Sequence, residues 1–341
     1  MSDLSSNLFE FKSDSEAIEF FLNKGWTDGL PIIPPTVERV IQFLKTVPNH
    51  PSEVIGYEPV KSREITIEKI AINSVMAGCL PEYFPVVLKT VESILEPKFT
   101  LHAITSSTMG AGILTVVTGP IASKLNLHGG TSVFGPGYRA NATIGRAVRL
   151  SVINTTGSNS KQIDKATLGH AGKYTWCITE NPVSPWSSLH EDRGFKSTDN
   201  ATTVFAGLSP IQVSHHHTQN PKNILRSFKD ALFSIGPNQG EIIIILCPEH
   251  AIHINNAGWG KAQIKDYLYE ISVRSNDEWN KGSHPPAGSH GGVSNDATLS
   301  NVALSPDTFT IMVAGGNAGG FSCVIPLWGS GTNSQSVTKI I

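Results

Sequence analysis

The residues with the clearest chemical potential lie between 128 and 157, His-Gly-Gly-Thr-Ser-Val-Phe-Gly-Pro-Gly-Tyr-Arg-Ala-Asn-Ala-Thr-Ile-Gly-Arg-Ala-Val-Arg-Leu-Ser-Val-Ile-Asn-Thr-Thr-Gly. The run reads as a short apolar segment, a glycine turn at Gly135 and Gly137, and then a helix. Its inward face is Ile144, Ala147, Val148, Ser151 and Val152, and Gly157 stops it. Asn141 is placed to cap the helix, with Tyr138 and Arg139 just before it. Unpaired amides, the positive helix end and a guanidinium would then converge on one carboxylate or phosphate. Glycines before a helix also serve as a plain tight turn. Residues 135 to 140 fit the Gly-x-Gly-x-x-Ala form of a dinucleotide fingerprint. The match stops there, because Pro136 stiffens the turn and no acidic residue follows about 20 positions on to hold a ribose.

Groups able to move protons or attack a substrate lie downstream. His170 sits where a strand is expected to begin, and Glu180, Asn181 and His190 fall in the loop after it, where α/β proteins place ligands. His170, Glu180 and His190 are the acid or base candidates, and Lys173, Tyr174 and Asn181 are the orienting ones. Cys323, in a glycine run at a strand end, is the candidate nucleophile. Cys79, before a helix, is a second thiol of interest. Of the twelve histidines, His215, His216 and His217 are adjacent, and neighbouring side chains on a strand point to opposite faces, so at most two could share a metal. Cys247, His250 and His253 have a ligand-like spacing, or simply begin a helix. No metal site is assigned and no cofactor is named. A nucleophile elbow and a Walker loop are both missing from the sequence.

The elements that must position these groups follow from apolar periodicity. Helices are expected at 14–23, from a Thr36 cap to Leu44, at 66–77, from Pro81 to Leu95, from Asn220-Pro221 to Ile235, and at 260–271. Strands are expected at 113–118, 172–179, 241–247 and 309–313, the last being the final strand. Prolines 31, 34 and 35 hold the segment after Trp26 and Asp28 extended; those two residues either line a pocket or serve as packing and turn. Residues 274–307 show no period and read as a lid, a partner-binding arm or a disordered stretch. The architecture is therefore α/β and two-lobed, a mixed sheet flanked by helices with a helical N-terminal part. The expected division is 1–160 and 161–341.

Composition sets the outer bounds. The chain has 341 residues, a formal charge of -2 and 16% charged residues. Lysines and arginines are scattered, which argues against nucleic acid as partner. The polar N-terminus lacks a secretory pattern, and the longest apolar run, Ile242 to Cys247, is too short for a membrane span, so a cytoplasmic protein is expected. Four dispersed cysteines without a Cys-x-x-Cys pair disfavour a zinc ribbon or dithiol motif.

Segments 25–36, 67–87, 134–150, 166–181 and 248–268 together resemble an uncharacterised conserved bacterial family. The string Gly-Pro-Gly-Tyr-Arg-Ala-Asn-Ala-Thr-Ile-Gly-Arg-Ala carries most of the likeness. Members of that family often neighbour small proteins with a selenocysteine- or Cys-Gly-Ser-Cys motif. This chain departs from the family pattern at 106–112, which lacks a proline, at His170, where relatives have Gln, and at Cys247, where they have Gly. Arg139, Asn141, Lys173, Tyr174, Glu180, Asn181 and His190 are its matching polar positions. The resemblance implies a thiol or selenol redox partner, with this chain as substrate-binding or reductase component.

The residues themselves point first to an enzyme of lyase, hydratase or isomerase type, holding a small anionic metabolite at 135–146 and doing acid-base chemistry. The redox component is the second reading, and a binding or assembly protein, with the 274–307 arm as contact surface, the third. A homo-oligomer is compatible with each.

Overall fold

The computed structural model describes residues 4–58, 60, 62–160, 162–281 and 298–341. The chain begins with α1 (Asp14–Lys24), capped by the Ser13 side chain and ended by Gly25, and α2 (Val37–Leu44), capped by Thr36. A hairpin of β1 (Val54–Glu58) and β2 (Arg63–Thr66) leads into α3 (Ile67–Ala77), α4 (Phe84–Ile94) and the short α5 (Leu101–Ser106). Then come β3 (Gly112–Thr118), α6 (Pro120–Lys124), the long α7 (Arg139–Thr156), β4 (Cys177–Ile178), α8 (Leu189–Asp192), β5 (Ala201–Gly207) and β6 (Ile211–Ser214). The rest is α9 (Pro221–Arg226), α10 (Lys229–Ser234), β7 (Ile242–Leu246), α11 (Pro248–Asn256), α12 (Lys261–Ile271), β8 (Val273–Ser275), α13 (Asn276–Lys281), β9 (Leu299–Asn301), β10 (Phe309–Val313), β11 (Phe321–Pro326) and β12 (Val337–Ile340).

Two four-stranded sheets form the centre, ordered β12-β5-β3-β4 and β10-β7-β11-β6. Both are mixed: β3 runs parallel to β4 and antiparallel to β5, while β7 runs parallel to β10 and antiparallel to β11. Their pleats explain the layering. In β3, Val117 packs toward the core of α3, α4 and α7, whereas Leu114 and Val116 face the other sheet. In β7, Ile242, Ile244 and Leu246 pack toward α9 and α12, whereas Ile243 and Ile245 turn inward to meet them. Buried on both sides, β7 is apolar at every position. The molecule is thus four layers, helices on sheet on sheet on helices, an α/β architecture with a helical N-terminal part.

Several expectations need correction. The first sheet takes β4, β5 and β12 from beyond residue 160, so a cut there would divide it. Phe309–Val313 is not the final strand, since β11 and β12 follow. The stretch 172–179 holds only the two-residue β4, preceded by a turn. The Asn220 helix breaks at Ser227-Phe228 into α9 and α10. Of the 274–307 arm, 282–297 lies outside the described residues, and its flanks are ordered. There β8 pairs with β9, and Trp279 is fully buried with its indole N–H donated to Ser300 O at 3.1 Å.

Candidate functional site

The parallel pairs bring the C-terminal ends of β4 and β10 to one place, where backbone amide N of Asn181 donates to Val313 O at 2.8 Å. Three loops are stitched together there, 128–138, 179–190 and 314–320. Gly315 N donates to Gly129 O at 2.8 Å, and the Asn181 side-chain amide donates to Gly315 O at 2.8 Å and to Asn317 Oδ1 at 3.1 Å. Gly129 lies flush on the backbone of Glu180, where an added Cβ would come within 2.4 Å of the Glu180 carbonyl oxygen. Ligand sites in α/β sheets characteristically form outside the carboxyl ends of strands.

Glu180 is the chemically distinctive group of this joint. Its Oε2 accepts from the Leu189 amide at 2.7 Å, while Oε1 is buried and has no hydrogen-bond partner among the described residues. Burial pushes the carboxyl up from 4.5 to about 7, against the pull of the Lys261 charge and of the Leu189 and Val313 backbone amides; the Asp192 charge pushes the same way as burial. A carboxyl that titrates near neutrality can both take and give a proton. Lys261 itself is held by Ser187 O at 2.7 Å and by Asp192 at 2.5 Å.

The glycine turn beside it differs from expectation in two respects. The helix begins at Arg139 with Tyr138 as its N-cap residue, not Asn141. Asn141 points inward: Oδ1 accepts from His128 N at 2.8 Å, and Nδ2 donates to His128 O at 2.8 Å and Cys177 O at 3.1 Å. It therefore ties turn, helix and β4 together rather than capping. Arg139 turns away from its own helix end and donates through Nε and Nη2 to Gly78 O, at 3.1 and 3.0 Å. Gly78 is the left-handed residue that ends α3, so the guanidinium satisfies a carbonyl at the C-terminus of a neighbouring helix. The anchoring role expected of Arg139 is not in place. What remains open is the turn itself, with Gly135, Gly137 and Tyr138 exposed, Gly137 at φ 123°, and the Tyr138 ring stacked on His128 at 3.6 Å.

The other expected groups lie elsewhere or are committed. Both ring nitrogens of His170 are committed to backbone: Nδ1 accepts from Gly172 N at 3.2 Å, and Nε2 lies 3.1 Å from both Gly112 N and Gly207 O. Burial lowers its pKa, against the pull of the Gly207 carbonyl. His190 is buried, with Nδ1 at 2.8 Å from Ser188 Oγ and Nε2 at 3.0 Å from Lys196 O. Lys173 and Arg149 share Asp164, at 2.6 and 3.0 Å, and Tyr174 is exposed on the surface.

Cys323 is an interior residue of β11, paired with Gln212 and Ile245 and packed between the sheets, and burial pushes its thiol up to about 12. That environment is opposite to the one a nucleophilic thiolate needs. Cys79 is likewise buried and raised to about 12, its Sγ donating to Thr143 O. His250 is buried between Ser322 Oγ at 2.8 Å and His215 O at 2.9 Å. Among the described residues no three His, Cys, Asp or Glu side chains are grouped to hold a metal ion. Asp28 pairs with Arg146 at 2.8 Å, as a strut between the extended N-terminal segment and α7.

Sequence reasoning brings together Glu180, Asn181, Asn141, Tyr138 and the glycine turn. It misses His128, Gly129, Gly315 and Asn317. The signal available was the pair of double glycines, 129–130 and 315–316, the second directly after a strand end. A cavity of about 680 Å³ lies away from this joint, under the N-terminal segment, and another of about 600 Å³ runs beside Gly240, Glu241 and Thr310 and reaches Leu189 and Asp192, the α8 residues next to Glu180.

Protein-family models, curated proteins and solved structures give no match to this chain.

Proposed function

We propose that this protein is an enzyme that binds a small anionic metabolite at the joint of the two sheets and transfers a proton through Glu180, in an elimination, hydration or isomerisation. The observation that carries the reading is the buried, unpartnered Oε1 of Glu180 on a carboxyl raised to about 7. Groups with strongly displaced pKa values concentrate at sites of chemistry. The exposed glycine turn and the positive end of α7 supply attraction for negative charge in the same loop cluster. Asn181 donates to the Gly315 carbonyl and the Asn317 side chain and so fixes the loop that faces it. The proposal requires the loops 182–188 and 314–320 to part and admit substrate, as lids of enzyme sites do.

Four free, buried cysteines support a reducing compartment such as the cytoplasm. Among the described residues no helix is long and apolar enough to cross a membrane. In the redox-component reading, the buried thiols leave this chain with substrate binding as its share.

A thermal-denaturation screen against small carboxylates and phosphates identifies the ligand, because a molecule that binds the folded state alone raises its stability. Glu180→Gln is expected to keep that stabilisation and to lose roughly 10²- to 10⁴-fold in turnover. Turnover unchanged in Glu180→Gln overturns the proposal.

A further inference from the structure

The 680 Å³ cavity is independent of the Glu180 joint and has a different chemistry. It falls within the roughly 300–1,000 Å³ range of small-molecule sites. Its walls come from the N-terminal segment 4–11, from α1, from Pro34-Pro35 and α2, and from the outer face of α3. Phe9, Phe11, Phe21, Trp26, Val40 and Met76 give it an aromatic and aliphatic interior. Trp26 meets the edges of Phe20 and Phe21 at 5.9 and 5.6 Å and Phe9 at 6.1 Å, so the rings form one continuous wall. Phe9 and Leu8 remain 47% and 76% exposed, although they line this space, which leaves apolar surface for a ligand to cover.

Three acids and one base flank the wall, and they differ in what holds them. Glu68 is fully buried, but Ser5 N, Ser5 Oγ and Ser6 N each donate to it at 2.9 Å. Two donors on Oε2 and one on Oε1 hold this carboxyl, and these bonds strap the N-terminal segment over the cavity. Glu10 and Glu38 are exposed at the surface. Lys69 is half-buried, donates to Ser6 Oγ at 2.8 Å, and has no ion-pair partner among the described residues. A partly desolvated ammonium with donors to spare, set beside an apolar chamber, is matched by a carboxylate on an apolar body.

We propose that this cavity is a binding site for an amphipathic monocarboxylate, with its carboxylate on Lys69 and Ser6 and its hydrocarbon or aryl body among Phe9, Phe21, Trp26 and Met76. Isothermal titration of the full chain with straight-chain acids from hexanoate to dodecanoate, and with the matching primary amides and amines, tests it. Saturable binding is expected, about fourfold tighter for each added methylene that is buried, with amides and amines at least tenfold weaker than the acids. Lys69→Met is expected to weaken the acids at least tenfold and leave the amides unchanged, and Val37→Trp, which fills the chamber from α2, is expected to abolish both. The absence of saturable acid binding, amides or amines that bind as well as acids, or acids indifferent to Lys69→Met or to Val37→Trp each overturn the assignment. Glu180→Gln leaves this binding unaltered, so the two sites stand or fall separately.

Discussion

Glu180 carries a cost that a purely structural carboxylate would not. Its pKa rises from 4.5 unfolded to about 7 folded, so the folded state holds the proton more tightly. The folded state therefore has its full advantage below about pH 4.5 and loses it as the pH climbs through about 7. The loss is on the order of 3 kcal/mol. Glu180→Gln, which keeps an acceptor for the Leu189 amide but bears no charge, is expected to match the wild type near pH 5. Above pH 7 it is expected to be more stable by up to that amount, as read from urea unfolding at several pH values; equal stability of the two proteins at high pH would mean the carboxyl is not strained.

Asn141 and Arg139 offer a contrast at the same scale. Asn141→Ala removes three hydrogen bonds at a buried position and strands the His128 amide, at a cost of roughly 2–4 kcal/mol in denaturant unfolding. Arg139→Ala removes an exposed bond to one carbonyl, at about 1 kcal/mol or less, without loss of ligand binding. Residue types were legible here, but direction was not. An Asn followed by a helix is as good a strut as a cap, and only the partner at His128 decides between them.

At the scale of elements, helices were the more readable. The Thr36 and Asn220 caps, the Gly157 stop and the five inward residues of α7 all lie where periodicity and capping chemistry put them. Strands β5, β6, β11 and β12 were not legible, for a physical reason. In β5, Ala-Thr-Thr-Val-Phe-Ala-Gly, every residue is buried, and paired threonines satisfy one another inside the protein, Thr90 with Thr202 and Thr203 with Thr338, both at 2.9 Å. Polar residues in a doubly covered strand mimic a loop. The joint was half legible: Glu180 and Asn181 could be placed after a strand, but Gly129 and Gly315 become meaningful only when two sheets meet. Gly129→Ala forces a methyl to 2.4 Å from the Glu180 carbonyl oxygen. Its expected cost is about 1–3 kcal/mol, with turnover lost more steeply than stability, a difference that parallel kinetics and unfolding would reveal.

For the whole molecule, the layer of Leu114, Val116, Trp176, Phe205, Ile243 and Ile325 between the sheets makes the two lobes mutually dependent. The final strand β12 reinforces this, since the chain leaves β11 in one sheet and returns to pair with β5 in the other. A single unfolding transition is expected, coincident by tryptophan fluorescence and far-UV dichroism. Removal of residues 337–341 is expected to lower the midpoint of both signals together; two separated transitions would show the lobes to be independent. No residue pattern announced this closure, because it depends on a pairing between strands more than a hundred positions apart.

The central claim is that the carboxyl of Glu180 is poised between its two charge states near neutral pH. Carbon-13 NMR of labelled glutamate side chains, with the Glu180 signal assigned by its loss in Glu180→Gln, measures this directly. A midpoint near 7, displaced when an anionic ligand binds, is the result expected; a midpoint below about 5, in the range of an ordinary glutamate, would contradict the account.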